Sequence, residues 1–494
     1  MKEIDTLYIQ LLEWDGLQEK LQIKPISDSG PLHKGIETIS ITRDADYGLD
    51  AEAKGKDGRS FLEVEPSALR RGEAIPIGIV RGKSPDGAQV ALKIFYAGST
   101  TFLGTVTGEV HVQRVEIDYE TKLEPAWFSI WCLNGPKDLL PTRGTDRILR
   151  TQVTRVRSPF GEPRNPDHKI EAAGGADSHS KDYWLVENNC FKLRFCSVPK
   201  VFGPEWSRNF AVEVFENPGQ GLSFTQSQAI LEALSFPLGR RLVPVGRSWF
   251  SEEGHVIRTE SFVPWGINLK EECSSPDMPP VRFLERRDTE RMVAEMSEAF
   301  FKLRDEFALS RGILDYRMAR SVPAEIALVH LASGLEAIMR AWFRATKSKS
   351  RGKYFPEGEF NSIVAKSFAQ IECALRGKPN AERLMRRLKS ANNLGVNEQF
   401  QTFFNEIGLP IGDVELHAID ARNPFAHGGG AVPEEKIPEL VYTLRSYQTL
   451  FHRVVLKLIE FQGEYIDYSS LGFPDRPLLK PLGGPQGDGK PVPF

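Results

Sequence analysis

Met292-Val-Ala-Glu-Met296-Ser-Glu-Ala-Phe300-Phe-Lys-Leu303 is where the chain changes period. Met292, Met296, Phe300 and Leu303 recur every three or four residues, the spacing of one helix face. Upstream, apolar residues alternate in short runs broken by Gly, Pro and Asp. Residues 88–95, 101–107 and 109–117 read as neighbouring strands, with Gly98 and Gly108 in the turns. Residues 183–185, 190–196 and 210–215 read the same way, and Ala126-Trp-Phe-Ser-Ile-Trp131-Cys-Leu-Asn134-Gly-Pro136 reads as a buried strand ending in a turn. Residues 226–234 read as a lone helix. Strands first and helices after predict an α+β chain: a beta-rich, sandwich-like N-terminal region, then an all-α bundle.

The helical part divides further. A first helix is expected over 288–309. A second follows Ser321, with Pro323 suited to its first turn and Ile326, Val329, Leu335, Ile338, Met339 and Trp342 as its apolar stripe. Shorter helices are expected over 360–375, 381–390, 397–407 and 413–421. A last long helix starts near Pro433, with Glu434 and Glu435 at its positive end, and runs to about Tyr465. Residues 473–494 hold six Pro and four Gly and read as a loose tail.

A chain of 494 residues exceeds one core. The expected divisions are a beta-rich domain over 1–160, a second beta-rich subdomain over 176–280, the helical domain over 281–468 and the tail over 469–494. Between the first two lies a basic segment with Arg143, Arg147, Arg150, Arg155, Arg157, Arg164 and Lys169, a solvated connector or a basic loop. Net charge is −3, so any nucleic-acid site must be a local patch. The five cysteines form no C-x-x-C pair, which points to a reducing compartment and against a disulfide scaffold. No signal peptide and no run of eighteen apolar residues is read, so no membrane partner is expected and a cytoplasmic setting is.

One string carries chemistry: Asp420-Ala-Arg422-Asn423-Pro-Phe-Ala-His427-Gly428-Gly-Gly430. Arg binds phosphate bidentately and stays charged. His can take and give a proton near neutrality. Asn423 precedes Pro424, so a backbone break is expected there, and the glycines leave room for a phosphate chain. Arg445 with His452, and Arg164 with His168, are decoys; the first pair lies seven residues apart on one helix face and reads as structural. Arg422 could equally cap a helix end or pair with Asp420. No Walker loop, nucleophile elbow or H-x-x-x-H pair occurs. Trp127, Trp131, Trp184, Trp206 and Trp249 read as core residues rather than ligand platforms.

Residues of roughly 285–466 resemble a HEPN domain, the helical fold of many prokaryotic defence and toxin ribonucleases. Its members carry an Arg-polar-x(3–5)-His motif before the last long helix, which Arg422, Asn423 and His427 match at the shortest spacing. Leu331-Ala-Ser-Gly-Leu-Glu336-Ala-Ile-Met-Arg340 resembles that fold's second long helix. A beta-rich half followed by this domain is similar to the ApeA class of anti-phage proteins. The resemblance implies a homodimer that cuts RNA, tRNA or single-stranded loops, without metal or cofactor. His427 would be the acid/base group, Arg422 the phosphate holder and Asn423 an orienting amide, leaving 2′,3′-cyclic phosphate and 5′-hydroxyl ends. The N-terminal half would be sensor or regulator, binding a phage-derived trigger. Some HEPN-like domains are inactive modules that bind RNA, nucleotide or protein, and that alternative stays open.

Charge supports an RNA partner. Residues 340–389 hold thirteen Lys/Arg and four Asp/Glu, a net of +9, whereas 281–470 as a whole is +2. Arg344, Lys347, Lys349, Arg351 and Lys353 read as a loop, and Arg383, Arg386, Arg387 and Lys389 as one side of a short helix. Both sets are candidates to track a phosphate backbone; a solvated basic surface fits equally. Glu336 is read as pairing with Arg340 one turn on.

Overall fold

The computed structural model describes residues 17, 20–26, 36–44, 46–55, 78–102, 105–119, 122–135, 183–197, 209–215, 224–251, 255–264, 268–274, 276–283, 286–346, 352–426, 433–487 and 489; at 53–55, 94–111, 183, 196–197, 224, 286–288 and 422–426 only the backbone is described. The basic segment from Arg143 to Lys169 and Trp206 lie outside these residues. The chain forms two compact units: Met1–Ser235 with Arg240–Asp277 and Glu285–Ala294, and Phe236–Gly239 with Met278–Leu284 and Glu295–Phe494.

The first unit is built on one antiparallel sheet of twelve strands. Strands β1 (Leu21–Pro25), β2 (Ile36–Arg43), β3 (Leu49–Gly55), β4 (Gly78–Lys83), β5 (Gln89–Phe102) and β6 (Thr105–Asp118) follow the order β3-β2-β1-β4-β5-β6. β3 also pairs with β6, through Asp50 opposite His111, so these six strands close into a ring. Ile23, Ile41, Val80, Leu92 and Val112 fill it. Residues 101–107 are not a separate strand; they form the end of the long β5–β6 hairpin.

Past the β3 contact, β6 turns its 114–118 stretch to β12 (Val256–Phe262). The sheet continues through β11 (Pro244–Phe250), β7 (Trp127–Cys132), β10 (Phe210–Val214), β9 (Lys192–Ser197) and β8 (Tyr183–Glu187). Strands from both beta-rich divisions expected, 1–160 and 176–280, thus lie in this one sheet. β7 pairs with β10 and β11, whose paired residues lie 78 or more positions further on, so the two beta-rich parts share one sheet. Long-range pairing of this kind leaves no local trace.

β7, β10 and β11 are buried at every position, as strands covered on both faces must be. Their polar residues are paired across strands. Arg247 on β11 bonds Glu260 on β12 at 3.1 Å and also donates to Ser227 of α1 (Phe224–Ser235). Arg194 pairs with Glu213 opposite it. Trp127 stacks on Phe250, with ring centroids 4.1 Å apart, and Trp131 donates to Ser248. Trp127, Trp131, Trp184 and Trp249 are all buried, as expected of core residues. A short helix α2 (Leu269–Ser274) follows β12.

The second unit is helical. α3 (Arg286–Leu303) and α4 (Leu309–Arg320) replace the single helix expected over 288–309. Ala308 between them takes a left-handed conformation (φ 53°), which no Gly or Pro announces. α5 (Ala324–Ala345) packs on α4 so closely that a Cβ on Gly312 would sit 2.7 Å from Ile338. Leu335, Ile338 and Met339 of the expected apolar stripe are buried, but its N-terminal part differs: Ile326 and Val329 are 50% and 36% exposed, while Leu328 and Leu331 are buried. α5 is long and apolar enough to cross a membrane by length and composition, yet 56% of that window is buried inside the protein, where core packing accounts for it.

α6 (Glu357–Leu375) and α7 (Ala381–Lys389) form a hairpin. α8 (Val396–Ile407), α9 (Asp413–Ala426) and α10 (Ile437–Leu458) complete the bundle. α10 ends at Leu458, short of the expected Tyr465. The loose tail is also corrected. β13 (Glu464–Ile466) pairs with β14 (Asp475–Pro477), and Asp467 accepts from Ser469, Ser470 and the Gly483 N–H. Composition rich in Pro and Gly forbids helix and sheet interiors; it does not forbid a turn-rich segment knit by buried polar bonds.

His452 lies at the centre of this unit, 2% exposed, with Nε2 2.9 Å from the Tyr316 hydroxyl. It is structural, as its helix position suggested. Burial, aided by the nearby Arg320 charge, pushes its pKa down from 6.5 to about 3. The folded state thus resists a proton that the unfolded chain accepts. Stability is intact above about pH 6.5 and falls as pH drops from there toward 3. Urea unfolding should show a loss approaching about 1.4 kcal/mol per pH unit below pH 6. His452→Gln, which keeps an acceptor for Tyr316, should flatten that slope between pH 6 and 5; an unchanged slope would refute the assignment.

Candidate functional site

α9 begins with a carboxylate cap: the Gly412 N–H donates to Glu415 at 3.0 Å, and Asp413 and Glu415 sit at the helix's positive end. Its inward stripe is Glu415, Ala418 and Ile419, all buried. The break expected at Asn423 does not occur, because α9 continues through Pro424 to Ala426. Proline there removes one bond, to the Asp420 carbonyl, close to the helix end where carbonyls are unpaired anyway. Packing of α9 on α5 and α10 outweighs that loss. Arg422 and Asn423 are thus on a helix, described by backbone only, and His427 lies outside the described residues. Asp420, offered above as a partner for Arg422, accepts a hydrogen bond from Asn397 of α8 at 2.5 Å.

Beneath the motif is a buried ion pair. Glu415 of α9 and Arg453 of α10 have fully buried side chains and bond each other. Glu415 also accepts from the Leu482 N–H at 2.9 Å. Arg453 donates to the Pro410 and Leu478 carbonyls at 2.9 and 3.0 Å and lies 5.1 Å from the Tyr465 ring centroid. This pair sets the angle of α9 on α10 and stitches the C-terminal segment to both. On the outer side of α9 a cleft of about 630 Å³ is lined by Asp413, Val414, His417, Glu439, Tyr442 and Pro485, with His417 3.8 Å from Glu439. The sequence reading missed it, since a lone His and Glu on different helices carry no spacing signal.

The basic residues divide. Arg344 is exposed in the last turn of α5. Lys347, Lys349 and Arg351 lie outside the described residues. Lys353 pairs with Glu357 and so is partly neutralised. Arg383, Arg386, Arg387 and Lys389 are all exposed on α7, and among the described residues none has a carboxylate partner. Glu336 pairs with Arg340 at 2.9 Å. Arg445, the other decoy cation, lies over the Phe473 ring. Among the described residues no group of three His, Cys, Asp or Glu side chains is close enough to hold a metal ion. No protein-family profile, no curated protein and no solved structure matches this chain.

Proposed function

We propose that the helical unit is a HEPN-type endoribonuclease acting without metal, as a homodimer in defence or stress, with the beta-rich unit as its regulator. The supporting observation is that Arg422 and Asn423 fall in the closing turns of α9, and His427 follows them in the sequence before the last long helix, α10. His427 removes the proton of a ribose 2′-hydroxyl. The 2′-oxygen attacks phosphorus, the P–O5′ bond breaks, and the leaving 5′-oxygen takes a proton from water or from the imidazolium that His427 has become. Arg422 binds the phosphate oxygens as charge builds on them, and Asn423 orients them. The four bare cations of α7 agree with a polyanionic substrate.

The test is cleavage of total tRNA in EDTA by wild type and His427→Ala. Cleavage by wild type alone, leaving 2′,3′-cyclic phosphate ends, is expected. Equal cleavage by both would refute the site. Binding without cleavage by either, including in the presence of phage lysate as trigger, would favour the inactive-module reading.

A further inference from the structure

The α6–α7 hairpin has less reason than any other helical element to be where it is. Of the nineteen residues of α6 only Phe360 is buried, and α7 buries none. A nine-residue helix is marginal in water by itself. Its sequence is sharply two-sided. Leu384, Met385 and Leu388 occupy one side, and Arg383, Arg386 and Arg387 fall at i, i+3 and i+4 on the other.

Arg376 and Lys378 in the connecting turn bring the cations of 376–389 to six, against one acid, Glu382. All six are exposed, and among the described residues none has a carboxylate partner. At the root of the hairpin, Tyr354 and Phe355 are 52% and 44% exposed. They are held there by the backbone: the Tyr354 N–H donates to the Asn392 carbonyl, and the Asn392 side-chain amide bonds the N–H and C=O of Phe355. Asn392 closes the 3-10 turn Ser390–Asn392 that directly follows α7, so the aromatic pair sits beside the end of the cationic helix. Two carboxylates stand at the same root, Glu357 on Lys353 and Glu398 on the Tyr354 hydroxyl, and each is already bonded.

We infer that this hairpin is an arm that grips single-stranded RNA, with phosphates on the α7 cations and bases against Phe355 and Tyr354. An aromatic platform beside unpaired cations suits unstacked bases. A duplex hides its base faces and leaves the aromatics without a partner. The inference rests on RNA being the ligand, as proposed above, and goes beyond it in naming the element and the side chains that grip the strand.

The test uses the full chain and a labelled 2′-O-methyl oligouridine, which lacks the free 2′-hydroxyl and cannot be cut. Affinity is measured by anisotropy from 50 to 300 mM KCl. Each phosphate neutralised on a single strand adds about −0.7 to the log–log salt slope, so Arg383→Ala/Arg386→Ala/Arg387→Ala should flatten the slope by about 2. Lys24→Ala/Lys93→Ala/Lys270→Ala, exposed cations of the first unit, should leave it unchanged. Phe355→Ala should weaken binding about tenfold at every salt concentration without changing the slope. Circular dichroism of each variant checks that it folds.

A slope in the α7 triple variant equal to that of the control variant would overturn the grip. Competition by duplex RNA as strong as by single strand would overturn the strand assignment. Either result with tRNA cleavage intact would leave the nuclease reading standing. No affinity for RNA in the wild type would remove both.

Discussion

Replacing His427 by alanine is expected to lower RNA cleavage roughly a thousandfold while RNA affinity stays within about twofold, because a positioned acid/base group contributes on the order of 10² to 10⁴. Binding is carried elsewhere, by the cations. Arg422→Lys is the sharper companion. It keeps the charge but loses the planar fork, so an arginine that binds the phosphate bidentately should cost on the order of a hundredfold when replaced. An arginine that merely caps α9 would tolerate lysine. Single-turnover rates at saturating RNA separate the two, since a binding defect disappears at saturation and a chemical defect does not. Full activity in both variants would remove the motif from the mechanism.

The second large effect is on stability. Glu415→Ala should destabilise the helical unit by about 3–5 kcal/mol, the range for breaking a buried ion pair and stranding its partner. Arg453 would be left charged, with a fully buried side chain and only carbonyls around it. The Leu482 and Gly412 N–H groups would lose their acceptor as well. Glu415→Leu with Arg453→Met should recover most of the loss, because apolar side chains of similar size replace a desolvated pair at little net cost. Urea unfolding of the full chain reads both. A single-variant loss below about 1 kcal/mol would mean the pair is wetter than its burial indicates. Since the pair fixes α9 on α10, Glu415→Ala should also reduce cleavage below melting, by disturbing the aim of Arg422.

Local reading went far where a signal is local. β7 was legible because six successive residues of strand-forming type end in a turn. α1 and α6 to α8 were legible from period and flanking residues, with ends off by a few positions. The sequence also supplied the residue types of the candidate site and the concentration of charge in 340–389. It misjudged the backbone at Asn423, where a one-residue preference predicted a break and packing on two neighbouring helices kept the helix whole. It misjudged the break before α4 for the opposite reason, as Ala308 carries no mark of the left-handed turn it makes. The tail was misread because the Glu415 and Arg453 contacts that hold it come from far upstream.

Local signals alone gave the strands within 88–117, 126–134, 183–196 and 210–215, most of the helices, the change of architecture near 281 and the residues that could do phosphate chemistry; β1 to β4, β11, β12 and α4 went unread. What was legible follows from side-chain period, turn chemistry and charge, all short-range properties of the chain. Only the tertiary structure decided that the strands share one partly closed sheet, that α9 runs through its proline, that the C-terminal segment is stitched to a buried ion pair, and that α7 keeps its cations bare. Each of these depends on groups tens of residues apart meeting in space, where burial sets the strength of a contact and sequence distance does not.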